Sequence, residues 1–182
     1  PASYDPGGST AAALVWKTIA DPFAGRITMF RVATGSLRSD STIENVSTGM
    51  AERVGSVTVM QGKTQHGVVE IKAGDLGAVA KLKETRTGDT LASKGTPWRF
   101  APFQFTAPVL AYAIEPKSRS DEEKISTALQ RLQEEDPTIR YARDPQTAQL
   151  LLSGQGQLHI EVTVAKLKRR FSVEVNLKLP RI

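Results

Sequence analysis

The period of the hydrophobic pattern changes once along this chain, near Pro108, and that change limits what it can fold into. Before it, from Ala11 to about Leu91, short apolar runs recur roughly every ten residues with Gly, Asp and Ser between them. Strand-like runs cover 14–19, 27–32, 41–46, 53–60, 68–71 and 76–82. Asp21-Pro22, Gly35, Ser47-Thr48-Gly49, Ala73-Gly74-Asp75 and Thr87-Gly88-Asp89 punctuate them. Many short strands with such turns predict an all-β barrel or sandwich.

After Pro108 helical periods appear. A strand is expected over 109–114. Ser120-Asp121-Glu122-Glu123 reads as a capping box. Ile125, Ala128, Leu129 and Leu132 then recur on one helical face, and Glu134-Glu135-Asp136-Pro137 ends the helix. Strands follow over 138–143 and 149–152, separated by the turn Asp144-Pro145-Gln146. The next segment is ambiguous, because Leu158, Ile160, Val162 and Val164 alternate as in a strand. Ile160, Val164, Leu167 and Phe171 fall at helical spacing, however, and a basic last turn complements the helix dipole. With a helix over about 156–170 and a last strand over 172–178, the order is β-α-β-β-α-β, a ferredoxin-like arrangement. The expected organisation is a flexible lead-in over 1–10, a β-barrel over 11–93, a linker over 94–107 and a ferredoxin-like α+β domain over 108–182. The linker carries interleaved Pro and aromatic residues, among them Trp98, Phe100, Phe103 and Phe105; a peptide ligand or a stacking surface is the alternative reading.

Composition narrows the function classes. The chain has 182 residues, a formal net charge of +5 and no cysteine, which excludes disulfides and thiolate metal sites. A mildly basic balance permits an RNA partner without requiring one. No apolar run approaches the ~20 residues of a membrane span. The N-terminal sequence lacks the basic and apolar regions of a signal peptide. It also lacks an initiator Met, so the chain reads as processed or, more simply, cut from a longer one.

Catalytic motifs fail on inspection. Gly62-Lys63-Thr64 has Val57 where a phosphate loop needs Gly, and leads into a β run rather than a helix. Gly154-Gln155-Gly156 stands between strand and helix; it could take an anion such as an RNA phosphate at the helix start, but its plainer reading is a tight turn whose glycines permit positive φ. His159 has no Ser, Cys or second His nearby and is expected to pack or hydrogen-bond at the helix start. No catalytic, cofactor-binding or metal-binding residue is assigned. The densest basic cluster is Lys166, Lys168, Arg169 and Arg170; it is either a solvated helix face or a phosphate-contact surface. Arg26 and Arg53 in the β part admit the same two readings.

Several words of this sequence resemble one family in that family's order. Trp16-Lys17-Thr18, Asp21-Pro22-Phe23-Ala24-Gly25-Arg26, Ala73-Gly74-Asp75 and Thr87-Gly88-Asp89-Thr90-Leu91 look like the second domain of the elongation factor G and elongation factor 2 family of translational GTPases. Ile114-Glu115-Pro116-Lys117, Glu134-Glu135-Asp136-Pro137 and Ser153-Gly154-Gln155-Gly156-Gln157-Leu158-His159-Ile160-Glu161 look like its third. The stretches 54–63 and 81–85 look closer to elongation-factor-G-like paralogues.

The resemblance implies a fragment of a cytoplasmic, monomeric ribosomal translocation factor. It implies contacts with small-subunit rRNA and protein and with the parent's own GTPase domain, coupling GTP hydrolysis to tRNA and mRNA movement. The antibiotic fusidic acid binds near these domains in the family. GTP and Mg would belong to the parent's GTPase domain and no cofactor to this fragment, which would then be no enzyme by itself. Arg26, Arg53, Lys166, Lys168, Arg169 and Arg170 are the candidate ribosome contacts. The alternatives are a free-standing RNA-binding module and a fragment of a ribosome-protection or release factor. A small acylphosphatase-type enzyme would need an anion loop that is not found.

Overall fold

A computed structural model describes residues 5, 7–21, 24–97 and 99–181 of the chain. Pro22 and Phe23 of the turn expected after Asp21, Trp98 of the aromatic stretch, and 1–4 and 6 of the expected lead-in lie outside the described residues. Two compact units divide the chain, Pro1–Phe103 and Gln104–Ile182.

The first unit is built from β1 (Ala12–Asp21), β2 (Gly25–Thr34), β3 (Ser36–Arg38), β4 (Ser41–Asn45), β5 (Met50–Val54), β6 (Val57–Gln61), β7 (Thr64–Val68), β8 (Glu70–Lys72), β9 (Leu76–Ala80) and β10 (Thr90–Ala92). Eight of these form one antiparallel sheet in the order β5-β4-β10-β1-β2-β9-β6-β7, and β3 pairs with β8. The sheet curls as a β-barrel around Val15, Phe30, Val32, Leu37, Ile43, Val54, Val57, Ile71, Val79 and Leu91. Gly77 is needed inside it: a Cβ there would lie 2.7 Å from Ile71 and 2.8 Å from Phe30.

The single strand expected over 53–60 is two, β5 and β6, which meet at Gly55-Ser56. Val54 and Val57 are both fully buried. Three residues apart, they would point to opposite faces of a straight strand, so the chain must turn a corner between them. Strand β7 was missed because Thr64 to Gly67 are all exposed and carry no apolar alternation.

The second unit runs β11 (Leu110–Pro116), α1 (Arg119–Glu135), β12 (Arg140–Arg143), β13 (Leu150–Gly154), α2 (Gln157–Phe171) and β14 (Val175–Lys178). The sheet order β12-β13-β11-β14, all antiparallel, is the ferredoxin-like order. Ile125, Ala128, Leu129 and Leu132 of α1 and Ile160 and Leu167 of α2 pack on Ile114, Leu152 and Val175.

The ambiguous 156–170 segment is helical because only that conformation buries Ile160 and Leu167 together. The alternating set would also have required Leu158 and Val162, which are 72% and 45% exposed. The cap of α1 is Ser118 rather than Ser120. Ser118 Oγ accepts from Asp121 N at 3.1 Å and donates to Asp121 Oδ2 at 2.6 Å. Asp121 Oδ1 in turn accepts from Glu174 N at 3.0 Å, across the domain. That long-range bond favours Ser118 over its local competitor.

Candidate functional site

The candidate cations separate once folded. In the barrel, Arg26 Nη1 donates to the carbonyls of Lys83 and Thr85 at 2.9 and 3.1 Å. The buried Glu52 accepts from the backbone of the same loop, at Lys83 N (3.1 Å) and Glu84 N (2.7 Å), and from the Thr85 hydroxyl (2.9 Å). Arg26 and Glu52 thus hold the loop after β9 with opposite charges. Arg53 stands exposed on β5, opposite Thr42.

On α2 the basic cluster divides by face. Lys166 Nζ reaches Glu135 Oε1 at 2.9 Å, and Arg170 Nη1 reaches Glu135 Oε2 at 2.6 Å. Glu135, at the end of α1, is buried. Its two cations on successive turns clamp α1 to α2. Lys168 and Arg169 point outward; Lys168 makes an exposed pair with Glu174 at 3.1 Å. Lys117 pairs with the same carboxylate at 2.9 Å. The hydrogen bonds from Lys117 and then Lys168 hold the Glu174 carboxyl below its usual range.

The glycine turn has a different reason from the one expected. Neither Gly154 nor Gly156 is among the residues at left-handed φ, and Gly156 has an extended φ of 170°. At Gly154 the requirement is space: a Cβ would meet His159 Nδ1 at 3.0 Å and Ile160 Cγ1 at 3.2 Å. The room lets the His159 ring lie on the turn, with Nδ1 accepting from Gln155 N at 3.1 Å and Nε2 at 2.9 Å from Asp136 Oδ2. Burial tends to raise the Asp136 carboxyl. The Thr138 hydroxyl, the His159 ring and the Thr138 amide outweigh that and hold it below the usual range. Asp136 and Glu135 were assigned by sequence only to end a helix, and both bind residues of α2. The signal was there as an acidic run and a basic run of opposite sign, without the fold to pair them.

Gly62-Lys63 is the two-residue turn of the β6–β7 hairpin, with Gln61 paired to Thr64 and Gly62 at φ +59°. A hairpin tip of this kind opens no helix and cannot cradle a phosphate as a nucleotide loop does. A groove of about 720 Å³ outside the barrel is lined by Trp16, Met29, Val59, Met60 and Leu76. Trp16 is aimed there by a bulge between the Val15–Phe30 and Lys17–Met29 pairs. Among the described residues no three of His, Asp, Glu and Cys gather as metal ligands. Among them, too, no helix is long and apolar enough to cross a membrane.

These features define a two-module protein, an antiparallel barrel followed by a ferredoxin-like domain, whose polar clusters tie elements together. Comparison with known proteins gives the family. Residues 10–94 match the profile of elongation factor G domain 2, and residues 105–179 match that of elongation factor G domain III. Elongation factor G of Mycoplasma genitalium is 42% identical over 169 residues, covering 93% of this chain and 25% of that protein. A crystal structure of a Thermus thermophilus protein superposes with a TM-score of 0.85 at 30% identity, covering 97% of this chain and 26% of the other. The chain belongs to the elongation factor G family of translation factors, as its second and third domains. It spans about a quarter of the length of the relative it matches.

Proposed function

We propose that this chain is the ribosome-contacting middle part of a translocation factor, and that it couples GTP hydrolysis in a separate domain of that factor to tRNA and mRNA movement. The observation that carries this reading is the match to two successive domains of one family, in order, over 10–94 and 105–179. GTP and Mg belong to the GTPase domain, against which the chain packs; the 182 residues themselves bind no cofactor and catalyse nothing. The setting is the cytoplasm and the chain is monomeric. Of the candidate contacts, Arg53, Lys168 and Arg169 are exposed and suit ribosomal RNA phosphate. Arg26, Lys166 and Arg170 support the contact surface through the bonds they make within each unit.

Co-sedimentation of the chain with small ribosomal subunits tests this. Binding is expected to fall steeply with salt, and charge reversal at Lys168 and Arg169 together to weaken it about tenfold. Binding that ignores both changes counts against the contact. GTP hydrolysis by the chain that disappears in Lys63→Ala would overturn the division of labour.

A further inference from the structure

Within the second unit, the stretch that leads into β11 is bonded to the turn after β13. Gln155 Nε2 donates to the carbonyls of Thr106 and Ala107 at 3.0 and 3.1 Å. Val109 N donates to Gly154 O at 3.0 Å. That turn is held by the His159 ring, through Gln155 N at 3.1 Å from Nδ1. A backbone N–H only donates, so Nδ1 must present a lone pair; a carboxylate only accepts, so Nε2, at 2.9 Å from Asp136, carries the proton. Both bonds together fit only the neutral ring. A second proton sets a donor against the donor of Gln155, while the Asp136 bond gains charge and shortens.

We propose that His159 is a proton-operated latch. The neutral ring fixes the 154–155 turn and through it residues 106–109; the protonated ring keeps Asp136 and releases them. Against the ring stands Asp136, the C-cap of α1, and one position before it Glu135, which is already engaged by Lys166 and Arg170. The β13–α2 turn, Ser153 to Gln157, brings no titratable side chain. On its own helix the nearest is the exposed Glu161, which accepts from Gln157 at 2.8 Å.

The test uses the whole chain in a pH titration followed at the His159 ring protons. The Gln155 amide resonance is expected to move with the same midpoint as the His159 ring protons. Chymotrypsin cleavage after Phe105 is compared with that of His159→Gln, which keeps a donor for Asp136 but does not titrate; the protease's own pH dependence cancels in this ratio. On acidification the ratio should rise about fivefold, the effect of one lost neutral hydrogen bond. Cleavage after Phe171 should stay constant, which separates release of the stretch from general loosening. Gln155→Ala should be cut at the higher rate at every pH. A Gln155 amide that ignores the ring's titration, a flat ratio, or native-rate cleavage of Gln155→Ala would each overturn the latch. If His159→Gln does not fold, the native spectrum alone decides.

Discussion

Replacing Glu135 by alanine removes one carboxylate and leaves two cations that had been facing it. Glu135 is 5% exposed, and its partners Lys166 and Arg170 are 27% and 26% exposed. Hydrogen bonds to charged groups contribute about 1.5–3 kcal/mol each. Two such bonds set an upper range of about 3–6 kcal/mol, but cations a quarter exposed regain some water when the acid is lost. The lower end, about 3 kcal/mol, is therefore expected, and it agrees with the ~3–5 kcal/mol of removing one partner from a buried pair. In urea, where a small domain loses about 1 kcal/mol per molar, the midpoint should fall by about 3 M. The assay can resolve the two units. Among the described residues both helices lie in the second unit, so ellipticity at the helix band reports it, whereas Trp16 on β1 reports the barrel. The helix transition should move and the tryptophan transition should not. A helix transition shifted by less than about 0.5 M would mean that the clamp is worth no more than an exposed pair, and the reasoning would fail.

Three further outcomes follow from the same geometry. Gly77→Ala forces a methyl against Ile71 and Phe30, so the tryptophan transition should lose about 1–3 kcal/mol; an unshifted midpoint would show that the barrel core has slack there. Ser118→Ala removes the cap of α1 and the hydroxyl held by Asp121, costing about 1 kcal/mol in thermal unfolding followed at the helix band. The second unit should also lose stability in acid. Asp121, held down first by Ser118 and then by the Glu174 amide, Asp144, held down by the Thr147 and Gln146 amides, Asp136 and Glu174 all have carboxyls below their usual range. A carboxyl depressed in the folded state stabilises above its unfolded value, and that contribution is lost as pH falls through the folded one. The urea midpoint at the helix band should hold near neutrality and drop from about pH 4 downward; a midpoint flat through that range would refute it.

The elements of the second unit were legible because their signals are local. Ile125, Ala128, Leu129 and Leu132 repeat at helical spacing, and all four are buried. The Lys168-Arg169-Arg170 run does fill the last turn of α2. In the barrel, most apolar strands were visible, but the three-residue β3 and β10 are too short to show a period, and the polar β7 showed none, since its pairing with β6 supplies what its own side chains do not. The N-cap was misplaced by two residues because Ser118 and Ser120 offer the same hydroxyl. The difference lies in Glu174, more than fifty positions away, which completes the network around Asp121.

The candidate site divides along the same line. Sequence alone determined which residues are cations and the order β-α-β-β-α-β of the second unit, because charge and period belong to the residues themselves. Only the tertiary structure decided where each charge is used. It sends Lys166 and Arg170 to a buried carboxylate 31 and 35 residues back, and Arg26 to carbonyls 57 and 59 residues ahead, while Lys168 and Arg169 stay exposed on the same helix. A buried carboxylate or an unpaired carbonyl is costly enough to claim the nearest donor. Which donor is nearest is set by packing between elements, not by position along the chain.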